Sequence, residues 1–135
     1  MKNVSIAALV LAISGCATMP TSVSNLTYVD AANYGVSMPD ATIVTVKRDQ
    51  GVLGSGCKIY ITVDLKPIAS LSTKQAVKFY LPTGSDFILG GGSARSGLCV
   101  HNLDEIKISS GGKSQFYRVG FDYGGISISP TAHVD

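Results

Sequence analysis

The chain has 135 residues, a formal net charge of +2 and charged side chains at only 15% of positions. That length suits one domain with a single modest core, and the sparse charge, with no basic stripe, excludes a nucleic-acid-binding surface. Apolar residues reach 45%, yet no run approaches the roughly 20 residues needed to span a bilayer.

The first apolar run follows Lys2 and Asn3, is densest from Ile6 to Ile13 and closes on Ser14, Gly15 and Cys16. A charged start, a short apolar stretch and small residues are the layout of a secretory signal. With its closing Ile13-Ser14-Gly15-Cys16, the segment resembles a bacterial lipoprotein signal peptide covering residues 1–15. The resemblance implies cleavage before Cys16 and acyl chains, palmitate among them, on its sulfur and amino group. Three chains at about 0.8 kcal/mol per buried methylene make such an anchor effectively permanent. Ala17 stands where an aspartate would resemble an inner-membrane retention signal, so the implied address is the cell envelope, at the outer membrane. An ordinary secretory signal cut near Ala17 is the competing reading. Without residues 1–15 roughly 120 residues remain, and loss of Lys2 lowers the net charge to +1.

Residues 16–40 read as the lipidated N-terminus and a flexible tether, because Thr18, Pro20, Ser22, Asn25, Gly35 and Pro39 interrupt any sustained period. As a coil of about 24 residues it would hold the domain about 25 to 30 Å from the lipid. Tyr28 and Val29 are material for a short strand, and Tyr34, Val36 and Met38 for docking on the domain. Beyond Cys16 the chain has Cys57 and Cys99, 42 positions apart. An even pair in an exported chain is most simply one disulfide. A metal site has no CxxC partner here, and His101 and His133 are the only histidines.

From Ala41 to about residue 132 the pattern is alternation, the mark of half-buried strands. Thr42 to Arg48 is rich in β-branched residues and ends at Asp49-Gln50-Gly51. Lys58 to Leu65 is the clearest strand, with Ile59, Ile61, Val63 and Leu65 on one face and Lys58, Tyr60, Thr62 and Asp64 on the other. A turn is expected at Lys66-Pro67, then Ile68 to Leu71, and a strand from Ala76 to Leu81 with Val77, Phe79 and Leu81 inward. Pro82-Thr83-Gly84-Ser85 turns the chain into Asp86 to Leu89. Residues 90–97, GGGSARSG, read as the most flexible loop. Leu98 to His101 and Glu105 to Ser109 supply further strand. Gly111-Gly112 reads as a hairpin before Gln115 to Asp122, where Tyr117, Val119, Phe121 and Tyr123 share a face. Gly124-Gly125 ends that strand and Ile126 to Ser129 forms the last. Short strands between Gly and Pro turns predict an all-β fold, an antiparallel β-sandwich or small barrel of about seven to eight strands.

Lys47-Arg48-Asp49, the strand Ile59 to Asp64, Ile68-Ala69-Ser70-Leu71, Lys78 to Leu81, Pro82-Thr83-Gly84 and Asp86 to Leu89 resemble, in that order, a family of small bacterial lipoproteins with a β-sandwich domain of unknown function. Ile106-Lys107-Ile108, Gly111-Gly112-Lys113 and Phe116-Tyr117-Arg118-Val119 are similar to that family's final hairpin. The resemblance covers about residues 40 to 132. It implies a PEGA-like or transthyretin-like sandwich and brings no catalytic residues.

Motifs that carry chemistry are weak. Gly112-Lys113-Ser114 has the tail of a phosphate-binding loop, but Lys107 occupies the place of its leading glycine and a hairpin replaces the strand-to-helix turn. Ser110 and Lys113 have the Ser-x-x-Lys spacing without its companion motifs. Asp104 and Glu105 are neighbours on a strand and point to opposite faces. His101 lacks an assignable nucleophile and acid, and His133 lies in the tail. No catalytic set, metal site or cofactor is expected.

Two features suit binding. Lys58, Tyr60, Thr62, Lys78 and Tyr80 are outward positions that would form a tyrosine and lysine patch across neighbouring strands, against a plain solvated sheet face. Arg95, in the glycine-rich loop near Cys99, would be presented to a carboxylate or phosphate, against a simple flexible connection. The sequence thus leads to an envelope lipoprotein held in the membrane at Cys16, serving as a structural or protein-interaction module with an envelope protein as partner. The alternative is an anchored inhibitor or exclusion factor, resembling lysozyme inhibitors or phage-encoded surface lipoproteins; Ser109-Ser110-Gly111 with Phe116-Tyr117 resembles part of that inhibitor pattern. An envelope hydrolase would require a clustered catalytic set.

Overall fold

A computed structural model describes residues 25–51, 55–94, 96–99 and 101–132. Nine strands form there: β1 Thr27–Val29, β2 Thr42–Arg48, β3 Ile59–Val63, β4 Lys66–Leu71, β5 Gln75–Leu81, β6 Asp86–Ser93, β7 Asn102–Ser109, β8 Gln115–Asp122 and β9 Gly125–Pro130. They make two sheets, β1-β5-β2-β8-β9 and β4-β3-β6-β7, packed as an open sandwich rather than a closed barrel. Pairing is not wholly antiparallel: β1 runs parallel to β5, and β2 parallel to β8.

Alternation decides which side chains enter the core. Val44 and Val46 of β2, Val77, Phe79 and Leu81 of β5 and Val119 of β8 are fully buried from one sheet; Ile59, Ile61, Val63, Ile68, Leu71 and Leu89 are fully buried from the other. Each such side chain stabilises the fold by about 1.5–3 kcal/mol relative to exposure. β7 and β9 close one side, where Asp104 Oδ2 accepts the Ile128 amide at 2.8 Å. That bond satisfies a donor on the open edge of β9.

Part of the expected tether belongs to the sandwich. β1 lies on β5 with Thr27, Tyr28 and Val29 opposite Gln75, Ala76 and Val77. Beyond it, the Ala32 amide donates to Ile68 O at 2.7 Å, and the Tyr80 amide to Tyr34 O at 2.8 Å. The segment therefore straps the open edges of β4 and β5 together, with Val29, Ala31 and Tyr34 packed on the core.

Five other expectations are corrected. Leu65 is not on the buried face of β3: Asp64 and Leu65, both at positive φ, form the tight β3–β4 turn, leaving Leu65 79% exposed and Lys66 and Pro67 inside β4. Tyr123 likewise lies in the β8–β9 turn, 82% exposed. Gly111-Gly112 joins β7 to β8 across the two sheets and not within a hairpin. Gly90, Gly91 and Gly92 belong to β6, not to a loop. Glycine suits that strand because its neighbours occupy the space: a Cβ on Gly90 would meet Thr62 Oγ1 at 2.5 Å, and one on Gly91 would meet Val119 Cγ2 of the facing sheet at 3.0 Å. Of the strand expected over Leu98 to His101, Leu98 and Cys99 belong to a turn instead, with Leu98 fully exposed, and Val100 lies outside the described residues.

Candidate functional site

β6 ends at Ser93, and the chain then tightens into a turn in which Ser96 and Cys99 exchange both backbone hydrogen bonds, at 3.1 and 2.8 Å. Gly97 takes a positive φ of 56° there, and Leu98 stands at the tip. Cys99 is bonded to Cys57, with the two Cα atoms 5.6 Å apart. The disulfide thus ties this turn to the loop leading into β3. Between them lies a shallow recess of about 190 Å³, lined by Gly56, Lys58, Tyr60, Ala94, Ser96 and Cys99. Lys58 and Tyr60 are exposed at its wall. One ammonium, one phenol and a hydroxyl suit an anionic or carbonyl-bearing group, but supply no nucleophile with a base.

Lys78 and Tyr80 are elsewhere. Both lie on β5, in the other sheet, so the five outward residues do not make one patch. Alternation places a side chain outward without saying from which sheet. Lys78 and Tyr80 instead join Tyr28, Val29, Asp30 and Ala31 around a recess of about 300 Å³. The Lys78 ammonium sits 5.5 Å from the centre of the Tyr28 ring, a cation–π distance. This second surface exists only because β1 docks on β5.

Polar groups that the sequence reading missed lie at the end of β2. Arg48 has the same parity as Val44 and Val46, which sends it between the sheets, where it is 2% exposed. Its Nη1 donates to Leu71 O at 2.7 Å and to Cys57 O, and its guanidinium carbon lies 5.5 Å from the Phe121 ring centre. Burial lowers its pKa from the usual arginine value, but an arginine stays charged across the physiological range. Next to it, buried Asp49 accepts from Arg118 Nε at 2.7 Å and Nη2 at 2.5 Å through one carboxylate oxygen. The strand parity of Arg48 was the available signal. Arg48 thereby anchors the loop that carries Cys57 and positions the disulfide end, while Asp49 ties the end of β2 to Arg118 of β8.

The remaining candidates have structural partners. His101 Nδ1 is 3.1 Å from Ser93 O, a bond that requires the Nδ1–H tautomer. The Gly112 amide donates to Thr42 Oγ1 at 2.8 Å and so does not face a phosphate. Asp104 turns toward β9 while Glu105 stays exposed. Among the described residues no three His, Cys, Asp or Glu side chains gather as a metal site. Cys16, Arg95 and His133 lie outside the described residues. Comparison with family models, with curated proteins and with solved structures found no match.

Proposed function

We propose that the chain is a lipoprotein of the bacterial envelope, anchored through Cys16 at the outer membrane, whose sandwich is a structural or protein-interaction module. The observation that carries this reading is the Cys57–Cys99 disulfide, a bond that persists in oxidising compartments such as the periplasm. It agrees with a signal segment closing on Ile13-Ser14-Gly15-Cys16. The strand orders β5-β2-β8-β9 and β4-β3-β6-β7 support the transthyretin-like sandwich that the family resemblance implies. The surfaces offered to a protein partner are shallow and aromatic, with Tyr60 on one outer face and Tyr28 and Tyr80 on the other, a composition common in interface cores.

A second reading, an anchored inhibitor or exclusion factor, is favoured by one feature. The Ser96–Cys99 turn is short, stapled and tipped by a fully exposed Leu98, a shape suited to entering an enzyme's cleft. A hydrolase has least support, since the described histidine His101 is engaged with backbone.

Crosslinking and pull-down from intact cells, comparing the native chain with Cys16→Ala, tests these readings. A defined envelope complex recovered only with the native chain is expected. Recovery of one soluble enzyme by both forms would favour the inhibitor. Capture of no protein by either form would refute both partner-based readings.

A further inference from the structure

Register fixes which loops share an end of the sandwich. β1 starts with Thr27 beside Gln75, and Ala76 stands opposite Lys47 near the end of β2. Arg48 pairs with Val119 toward the end of β8, and Asp122 pairs with Gly125 across the Tyr123 turn. In the other sheet Tyr60 pairs with Gly92, and Gly92 with Leu103, so β6 leaves and β7 begins at one end. The Arg48 bond to Leu71 O joins the two sheets at that same end, where the Cys57–Cys99 disulfide also lies. The chain therefore enters the domain where Leu98, Tyr123, Lys58 and Lys74 stand.

That end combines two protruding apolar tips with cations. Leu98 is fully exposed and Tyr123 82% exposed, each at the tip of a tight turn. Lys58 and Lys74 are exposed and the nearby Asp49 is consumed by Arg118, so the exposed Asp122, which accepts the Gly124 amide in its own turn, is the acidic group set against these two lysines. The opposite end balances Asp40, Asp64 and Asp86 with Lys66, Lys107 and Lys113. Leu65 and Val36 are exposed on that opposite side, so apolar exposure alone does not choose between the ends.

Chain length chooses. From Cys16 to Thr27 is 27 − 16, or 11, residue steps, about 40 Å when fully extended and about 18 Å as a flexible coil. The longer strands have eight residues, about 27 Å from end to end. A tether of coil dimensions would keep the Thr27 end at the surface, while bringing the opposite end to the surface would need the tether drawn out to about 27 Å, about two-thirds of its full extension.

We propose that the lipid surface itself is the partner of this end: Leu98 and Tyr123 settle into the headgroup region, and Lys58 and Lys74 face its phosphates. The inference rests on the anchor at Cys16. A phenol suits the boundary between apolar and wet layers, and an anchored domain meets the surface as an intramolecular event, so a weak contact suffices. Burial of Leu98 in lipid withdraws that turn from any enzyme cleft and leaves the two sheet faces and the far end for a protein partner.

The chain contains no tryptophan, so a single introduced indole reports on depth. Tyr123→Trp and, at the far end, Leu65→Trp would be prepared as mature acylated protein from membranes. Each would be reconstituted in phosphatidylethanolamine–phosphatidylglycerol vesicles with and without brominated acyl chains. Emission of Tyr123→Trp should shift to the blue and be quenched at least about threefold more strongly than that of Leu65→Trp. Adding Leu98→Asp should weaken that quenching without changing flotation of the protein with the vesicles. Equal quenching at both positions, stronger quenching at Leu65→Trp, or none at Tyr123→Trp overturns the inference. Intact mass separates the two levels: acyl mass at Cys16 with an unquenched Tyr123→Trp defeats the orientation alone, and absent acyl mass defeats the anchor together with it.

Discussion

Replacing Cys57 and Cys99 together by alanine removes one covalent bond and little native packing. The Ser96–Cys99 turn keeps its two backbone hydrogen bonds, and the loop carrying Cys57 keeps the hold of Arg48 Nη1 on the Cys57 carbonyl. The cost therefore falls mainly on the unfolded chain, which regains the freedom of a loop closed over a separation of 42 residues. Loop-closure entropy gives about 4 kcal/mol at 25 °C for a ring of that size. With an unfolding entropy of about 2.1 cal/mol/K per residue, a domain this long should lose about 15–20 °C in Tm. Urea titration under non-reducing conditions should show a matching fall in ΔG, with a larger m-value because the released chain expands further. A loss below about 1 kcal/mol, with m unchanged, would refute the reasoning: the unfolded chain would then be compact around these positions without the bond.

Other substitutions test the packing. Arg48→Met leaves the buried carbonyls of Leu71 and Cys57 without this donor, partly offset by the relief of guanidinium desolvation. It should destabilise by about 2 kcal/mol in urea titration, and non-additively with loss of the disulfide, since both hold one loop. Gly91→Val puts new carbons where a Cβ already lies 3.0 Å from Val119 Cγ2, costing about 1–3 kcal/mol. Gly111→Ala, with nothing within 4 Å, should change the same midpoint by less than about 0.5 kcal/mol. Asp86 is held below its usual pKa of 3.8 by the Ser109 hydroxyl and then by Lys107. A depressed carboxylate stabilises above its unfolded pKa and loses that contribution as pH falls through its folded value. Urea midpoints of the native chain should therefore drop more steeply below about pH 4 than those of Asp86→Asn.

How far the sequence could be read depended on whether the signal was local. Thr42–Arg48 and Gln115–Asp122 are strands over the residues that alternation marks out, and Val77, Phe79 and Leu81 are buried as their parity requires. Glycine in β6 misleads because the atoms that fill its missing side chains, Thr62 Oγ1 and Val119 Cγ2, come from distant strands. Leu65 misleads because a turn at Asp64-Leu65 needs two residues at positive φ, which composition there does not advertise. For the candidate sites, outwardness was legible at Tyr60 and Tyr80, but membership in different sheets was not. The cysteine pair followed from counting alone. Arg48 was passed over because charge was read before parity.

The placement of β2 has a consequence for the order in which the molecule assembles. Made early, it ends up between β5 and β8, whose pairing residues lie as far downstream as Val119. A ribosome releasing this chain from its N-terminus emits this central strand long before the two strands that flank it. Loop closure over such separations is slow, so nothing emitted before Gln115 can complete that sheet. On the proposed envelope address, where the chain would thread a translocation pore unfolded, this delay would be useful: the chain would stay loose until nearly all of it was across, and the thiols of Cys57 and Cys99 would meet only in a compartment able to oxidise them.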